Sequence, residues 1–180
     1  MSADLSVRVG WAEDAAALSR VQSRAWRATY ADVLPEEMLQ LLTDDQAVER
    51  WRLSLTRPAD ARQRVMVALD RASVCGFTLT HPATDPDCDP LTVAELGELV
   101  IDPDQIGRGH GSRLMQAGVD TMRADRFTRA VTWLSVADDR VRSFFTEAGW
   151  AADGAFRTLD LTGDGEVRVK QIRLHTLIAT

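Results

Sequence analysis

The sequence predicts a mixed α/β fold. Short stretches in which apolar and polar residues alternate, as in half-buried strands, are interleaved with longer ones whose apolar residues recur every three or four positions, as in helices. Near the middle, an apolar strand over Val93–Ile101, a glycine-rich loop and a helix follow one another in that order. The 180 residues are enough to bury a substantial core, and we expect one domain over 1–180.

The first third of the chain is expected to be mostly helical. It opens with a strand over Leu5–Val9. Apolar residues at helical spacing then predict a first helix, at Leu18, Val21, Ala25 and Ala28. Pro35, followed by two glutamates, marks the start of a second helix, and a third, shorter one is expected over Ala47–Leu55.

Two strands and a loop come next. Arg64–Leu69 and Ser73–Thr80 are expected to pair as a hairpin around the turn at residues 70–72. The segment His81–Pro90 is rich in proline and aspartate, which predicts a mobile loop. The apolar strand Val93–Ile101 follows this loop.

The second half continues the alternation. The helix after the glycine loop has one apolar face, made of Leu114, Met115, Val119 and Met122. A strand is predicted over Ala130–Val136. Asp138 or Asp139 can cap the next helix, whose apolar stripe consists of Val141, Phe144, Phe145 and Ala148. Two final strands, Phe156–Leu161 and Val167–Leu174, flank a turn at residues 163–165.

Composition excludes several classes of protein. The formal net charge of −6 argues against non-specific nucleic-acid binding, which needs a basic surface. No apolar run approaches the ~20 residues of a membrane span, and the first residues lack the pattern of an export signal, so we expect a cytoplasmic protein without a membrane partner. Cys75 and Cys88 are expected to be free thiols, and the three scattered histidines give no support for a metal site.

The glycine-rich loop has the composition of a phosphate-binding site. Gly107, Gly109 and Gly111 alternate with Arg108 and His110, so the chain can turn tightly and present bare amide hydrogens to a ligand. The amides and the dipole at the start of the following helix favour an anion, and Arg108 adds a charged donor. We expect His110 itself to face the solvent.

Two common phosphate-binding motifs do not fit. A Walker loop requires G-x-x-x-x-G-K-S/T, and the chain has no Gly-Lys pair. A dinucleotide-binding fold requires G-x-G-x-x-G directly after a first strand near the start of the chain, whereas this loop is central and reads G-x-G-x-G. Nucleotide hydrolysis and nicotinamide chemistry are therefore disfavoured.

The run from Ala94 to Leu114 resembles the acetyl-coenzyme A signature of the GNAT superfamily of N-acetyltransferases, whose loop reads R/Q-x-x-G-x-G/A. Gly109 and Gly111 occupy the two small-residue positions. The likeness extends over most of the chain, to the early helices and to the segment Asp138–Trp150. It implies a mixed, mostly antiparallel sheet of about six or seven strands, splayed at its centre and flanked by about four or five helices.

The resemblance implies which residues bind the donor, acetyl-coenzyme A. We expect backbone contacts from the strand and the loop and further contacts from the later helix, at Leu99, Val100, Ile101, Ile106, Gly107, Arg108, Gly109, His110, Gly111, Ser112, Asp138, Arg142 and Phe145. The chain departs from the family pattern at three of these positions: Ile106 stands for the usual Arg or Gln, Asp138 for the usual Asn, and Phe145 for the Tyr that is often the general acid.

Glu95 and Glu98 are the candidates for the base that deprotonates an amine. Counting back from the loop, Glu95 matches the catalytic glutamate of the superfamily's histone acetyltransferases. In a regular strand Glu98 points to the opposite face, and the order of the two candidates could swap if a bulge intervenes. Either residue could instead be an ordinary solvated or salt-bridged strand residue. The acetyl carbonyl oxygen is expected to bind a strand amide around Leu99 or Val100.

Because the ring of Phe145 has no acidic proton, the departing thiolate takes its proton from another side chain or from water, or it leaves without the help of an acid. Ser135, Ser143 and Tyr30 are alternative donors, although each of them also fits a structural role. Trp26 and Tyr30 lie one turn apart on a helix that borders the acceptor cleft in the family, and could line a substrate pocket.

The sequence thus favours an N-acetyltransferase that moves acetyl from acetyl-coenzyme A to a primary amine by direct attack in a ternary complex. The acceptor is a small molecule, a peptide or a protein with a free N-terminus or lysine, and this chain is a monomer or a homodimer. The alternative is a non-catalytic acyl-coenzyme A-binding or regulatory module that kept the loop and lost turnover with the tyrosine.

Overall fold

The computed structural model describes residues 5–42 and 45–178. Within these residues the chain forms a seven-stranded sheet with helices on both faces. The strands are β1 (Leu5–Val9), β2 (Arg64–Asp70), β3 (Ser73–Pro82), β4 (Val93–Ile101), β5 (Arg129–Ser135), β6 (Ala151–Asp160) and β7 (Arg168–Leu177). The helices are α1 (Ala15–Tyr30), α2 (Glu36–Gln40), α3 (Asp45–Thr56), α4 (His110–Ala124) and α5 (Asp139–Glu147).

The sheet is mixed and mostly antiparallel, as the resemblance implied. Its strand order is β1-β2-β3-β4-β5-β7-β6. Within the described residues β4 and β5 are the one parallel pair, joined through α4. Their pairing covers Val93↔Arg129 to Glu95↔Val131, although both strands continue. The sheet is therefore splayed at its centre, and beyond Glu95 the facing edges of β4 and β5 are not paired with each other.

A bulge in β4 decides where its two glutamates point. Thr78 pairs with Leu99 but Thr80 pairs with Leu96, so β4 has one residue more than β3 in this interval. The extra residue reverses the alternation of side chains. Glu98 consequently lies on the same face of the sheet as Glu95, which corrects the opposite placement expected for a regular strand.

Each face of the sheet packs against its own helices. On one face, α1 and α3 contribute Leu18, Val21 and Trp51 to a core that includes Val67 and Phe77. On the other face, α4 and α5 contribute the buried residues Met115, Met122 and Phe145 to a second core, which includes Leu96, Trp150 and Leu174. None of the helices in the described part of the chain has both the length and the apolar character of a membrane span.

Several element boundaries differ from the prediction, and those of β3 and β6 have a clear physical reason. β3 runs through Pro82, so His81 belongs to the strand rather than to the loop, because its pairing with Glu95 continues the ladder. β6 begins at Ala151 instead of Phe156. The start of β6 was missed because Gly154, with φ +90°, lies at an interruption of the strand's register and breaks the pattern of alternation.

Candidate active site

The glycine loop ends in a bare helix N-terminus. Gly107 and Gly109 have φ of +83° and +82°, the left-handed region that glycine adopts without strain. Gly109 is the N-cap of α4, and within the described residues no side chain accepts a hydrogen bond from the first amides of this helix. Those amides are available to an anion, which fits the predicted pyrophosphate site.

The other loop residues surround this N-terminus. A Cβ on Gly111 would lie 3.4 Å from the ring of Phe144, so glycine permits the close approach of α4 and α5. The Arg108 side chain is exposed and reaches Asp70 at 3.3 Å and Gln105 at 3.0 Å. Ile106 and Ser112 are also exposed. All of these residues are placed where a ligand can reach them.

The structure corrects the prediction for the side chain of His110. Its imidazole is 1% exposed rather than solvent-facing, and burial lowers its pKa, which favours the neutral ring. The reason is helical geometry, since His110 lies one turn before the fully buried Leu114 on the inward face of α4. Neither ring nitrogen has a hydrogen-bond partner among the described residues.

The start of α5 lies across the splay from β4. The Asp138 side chain caps this helix by accepting a hydrogen bond from the Val141 amide at 3.0 Å. Arg142 forms an ion pair with Asp139 and donates to the Val136 carbonyl at 3.4 Å. Leu99, Val100 and Ile101 form the β4 edge beyond the last β4–β5 pair.

Phe145 does not lie on this surface. Its ring is fully buried and makes edge-to-face contacts with Phe144 at 5.6 Å and Trp150 at 5.3 Å between centroids. The predicted contact between Phe145 and the donor is therefore not supported, because a phenylalanine at this position is drawn into the core by its apolar ring. The ring also has no proton to donate.

The Glu98 carboxylate is held by two side chains of α1. Trp26 Nε1 donates to Oε1 at 2.5 Å, and Gln22 Nε2 donates to Oε2 at 2.9 Å. The amide of Gln22 is oriented in turn by Trp51 of α3, whose Nε1 donates to its Oε1 at 3.1 Å. Burial raises the pKa of Glu98, and the two hydrogen bonds partly offset this effect. The carboxylate is thus fixed in direction at the bulge of β4.

Tyr30 completes the wall formed by α1. Its ring packs edge-on against Trp26 with 5.2 Å between centroids. Burial and the negative charges of Glu98 and Asp138 raise the pKa of its hydroxyl, which therefore keeps its proton at neutral pH. Tyr30 lies close enough to β4 and to the start of α5 to feel a charge on each. Trp26, Tyr30 and Glu98 are brought together, as a substrate wall requires.

Glu95 lies on the same face, one bulge away from Glu98. It is 8% exposed, and no hydrogen bond reaches its carboxylate from residues 5–42 or 45–178. Burial raises its pKa, while the neighbouring charges of His81, Arg157 and Arg173 oppose the shift. His81 sits directly opposite on β3, and its Nδ1 lies 2.8 Å from the Pro82 carbonyl. Donation of the Nδ1 proton to this carbonyl would leave Nε2 with a free lone pair.

Comparison with known proteins identifies the family of this chain. Residues 19–150 match the acetyltransferase (GNAT) family. The chain belongs to the GNAT family of acetyltransferases. It is an acyltransferase, and the family's donor is acetyl-coenzyme A, which confirms the enzyme class and the donor expected from the sequence. No curated protein matches the chain.

Solved structures share the fold. An N-acetyltransferase from Staphylococcus aureus Mu50 superposes with a TM-score of 0.76 at 14% identity, over 98% of this chain and 100% of that one. The PaiA N-acetyltransferase of Thermoplasma acidophilum, solved with coenzyme A, gives 0.70 at 16%, over 98% and 99%. An acetyltransferase of Salmonella typhimurium, solved with acetyl-coenzyme A, gives 0.71 at 13%, over 98% and 95%. At these low sequence identities, the three superpositions show that the fold is shared.

In this GNAT protein the loop after β3 is tied to the sheet rather than loosely held. Arg173 of β7 is 5% exposed and donates to Asp85 at 3.1 Å and to Asp87 at 2.7 and 2.6 Å. Its Nε donates to Asp153 at 2.8 Å. Asp85, Asp87 and Cys88 lie as close together as metal ligands do, but the guanidinium already contacts all three. The cluster serves as an anchor for the loop.

Sequence reasoning missed several residues of this face. Gln22 and Trp51 orient Glu98, and Arg173 anchors the loop that borders the cleft. One signal was present, because Gln22, Trp26 and Tyr30 recur every four residues and so form one stripe of α1. No local signal marks Arg173, whose partners lie far away in the sequence.

Proposed function

We propose that this chain transfers the acetyl group of acetyl-coenzyme A to a primary amine by direct attack in a complex that holds both substrates, within one domain over 1–180. The observation that carries the proposal is the gap between β4 and β5. The glycine loop and α4 open on one face of the sheet at this gap, while Glu95 and Glu98 open on the other. Donor and acceptor can therefore meet from opposite faces.

The face that carries the glycine loop offers partners for several polar parts of acetyl-coenzyme A, which supplies the acetyl group as a thioester when it is bound. The free amides at the start of α4 and the side chain of Arg108 would hold its pyrophosphate. The uncovered edge of β4 at Leu99 and Val100 would hydrogen-bond the pantetheine arm and the acetyl oxygen. None of these contacts needs a side chain from Phe145.

The acceptor side divides two tasks between two carboxylates. Glu98, whose oxygens are oriented by Gln22 and Trp26, binds the incoming ammonium and aims it at the gap. Glu95, buried and without a hydrogen-bond donor of its own among the described residues, removes the proton, directly or through water. Its raised pKa brings it closer to that of the amine, which makes the transfer easier.

Tyr30 is the proton donor that we assign to the departing thiolate. It is the single tyrosine of the chain, and its hydroxyl stays protonated near Glu98 and Asp138. A thiolate with a reference pKa of ~8.5 is a modest base, so the acid contributes less than the base does. Tyr30→Phe should therefore slow turnover less than Glu95→Gln.

The test is an assay of free coenzyme A release, followed with a thiol reagent, on a panel of primary amines and short peptides. Release that depends on an added amine supports the proposal. Glu95→Gln should then lower kcat, whereas Glu98→Gln should mainly raise the KM of the acceptor. Binding of coenzyme A without release for any acceptor would instead favour the non-catalytic binding module.

A further inference from the structure

One indole on the acceptor face lies between two arginines that differ in their partners. Trp133 of β5 donates its Nε1 proton to Asp85 at 3.0 Å, which fixes the ring. The guanidinium carbons of Arg157 and Arg173 lie 4.3 Å and 5.6 Å from its ring centroid. The ring therefore holds two cations beside the cleft, and its π face favours both.

Arg173 is saturated by carboxylates. Its three nitrogens contact Asp85, Asp87 and Asp153, so its charge is neutralised inside the protein. An additional anion would gain little from Arg173, because this guanidinium is buried and its charge is already matched by three carboxylates.

Arg157 has no carboxylate partner among the described residues. Its Nε donates to the side-chain oxygen of Gln171 at 2.8 Å, and no hydrogen bond from its two terminal nitrogens is found within the described ranges. The side chain is half-buried, and it is held in place by the amide on one side and by the indole below. Because this guanidinium is already held in one position, its fork of two terminal nitrogens can bind an anion without a further loss of side-chain entropy.

The fork of Arg157 opens on the same face as Glu95. Cross-strand pairs run from Glu95 to Val131 on β5, from β5 to β7, and from Gln171 of β7 to Arg157 of β6, so these side chains project together. With ~4.8 Å between paired strands and ~3.3 Å per residue, the Cα atoms of Glu95 and Trp133 lie at least roughly 8 Å apart, since β4 and β5 splay beyond the Glu95↔Val131 pair. The field of Arg157 reaches Glu95, where it lowers the pKa of the carboxyl.

We propose that Arg157 determines acceptor specificity by binding a carboxylate of the substrate, so that the acceptor is a small amine that also carries an acid group, such as an amino acid. The inference rests on the proposed function, because it concerns the same acceptor cleft. The ammonium of such a molecule lies between Glu98 and Glu95, and its carboxylate forms a two-pronged pair with the terminal nitrogens of Arg157. The indole of Trp133 packs against the part of the substrate that joins its ammonium to its carboxylate.

Matched pairs of amines test this proposal. Each pair differs only in a carboxylate: phenylalanine with phenethylamine, β-alanine with propylamine, and ε-aminocaproate with hexylamine. The wild-type enzyme should prefer the acidic member of at least one pair. Arg157→Gln should lower kcat/KM for that member by roughly 10- to 100-fold, mainly through KM, and should change the plain amine much less, only through the loss of a positive charge that acts on Glu95. Arg157→Lys should recover part of the loss, because it keeps the charge but not the fork.

Arg168→Gln is the matched control, since it removes the same charge from an exposed position on the adjacent strand of the same hairpin. It should leave both members of each pair unchanged. Turnover of plain amines without any preference for the acidic members, or an equal loss for both members in Arg157→Gln, would overturn the proposal for Arg157 while the proposed function stands. Absence of turnover with every amine would remove both.

Discussion

Trp26 Nε1 lies 2.5 Å from Oε1 of Glu98, and this hydrogen bond joins the first helix of the chain to the bulge in its central strand. The partner oxygen of the carboxylate is held by Gln22, which is held by Trp51. Three elements thus determine the direction of one acidic group. This arrangement leads to predictions in which the orientation of a carboxylate, and not only its presence, is varied.

Trp26→Phe removes the donor but keeps an aromatic ring against Tyr30. Loss of one hydrogen bond to a charged group should raise the acceptor KM and lower kcat/KM about 10-fold, because Glu98 is then free to rotate. Steady-state kinetics with the best amine measure the effect. Trp11→Phe changes an indole that is 59% exposed, and should have no effect. Equal kinetics in both variants would show that the hydrogen bond is only structural.

The pH dependence of kcat/KM should report the raised pKa of Glu95. The base must be ionised, so activity should fall as the pH drops through a value above the ordinary carboxyl pKa of ~4.3. The groups that face Glu95 are His81 from β3, Asp85 from the loop, and Arg157 and Arg173 from the hairpin. Glu95→Gln should remove the part of this acid limb that belongs to Glu95, in kcat above all, and leave the part due to Glu98, whose pKa is also raised and whose charge binds the ammonium.

Two acceptors of different basicity provide the control for this profile. A limb that belongs to Glu95 keeps its position when the amine is changed, whereas a limb that moves with the pKa of the amine belongs to the substrate. The same shift predicts the sign of a stability effect. Because the folded state holds this proton more tightly than the unfolded chain does, ionised Glu95 destabilises the fold, and Glu95→Gln should melt no lower than wild type at pH 7.

Gly109→Ala should weaken binding of coenzyme A. The residue has φ +82°, and a Cβ would lie 2.9 Å from a terminal nitrogen of Arg113, beside the amides that we propose for the pyrophosphate. The strained conformation costs about 1 kcal/mol and alters the loop. Gly163→Ala is a matched control, with φ +79° and open space around its Cβ. Calorimetry with coenzyme A should show reduced affinity in the first variant only, and equal affinities would contradict the loop assignment.

The anchor of the loop after β3 should be sensitive to acid. The hydrogen bond from Arg173 lowers the pKa of Asp87 to about 2, so the ion pair stabilises the fold above the ordinary carboxyl value and is lost as the pH falls from about 4 towards 2. In Asp87→Asn this part of the pH dependence of the melting temperature should be absent. Asp89→Asn, at an exposed position of the same loop, provides the comparison. Parallel curves for wild type and Asp87→Asn would refute the anchor.

Much of the donor side could be predicted from the sequence, because it is encoded locally. The strand Val93–Ile101, the left-handed glycines and the cap at Asp138 all depend on neighbours within a few residues, and the structure has each of them where the pattern indicates. His110 and Phe145 were misplaced for a related reason. Their neighbours along the chain do not fix which way each ring points, and only the direction of a helix face decides that both rings are buried.

The acceptor side could be predicted only in part. Glu95 and Glu98 were found as a pair, and Trp26 and Tyr30 as a stripe, but the only local hint within β4 of the bulge that brings both carboxylates to one face is Gly97, a glycine inside the strand. The bulge exists because β3 and β4 pair with unequal numbers of residues. The roles of Arg157 and Arg173 depend on partners in strands and loops that are distant in sequence.

By itself, then, the sequence determined that this protein is a mixed α/β acetyltransferase with a left-handed glycine loop before its central helix, since short-range conformational preference is written in consecutive residues. The tertiary structure alone decided that Glu95 and Glu98 share a face of the sheet. It also decided that Arg173 pairs with three carboxylates, whereas Arg157 pairs with none among the described residues. Charges act through space, and the distances that matter to them are set by how strands pair and not by how far apart the residues lie in the chain.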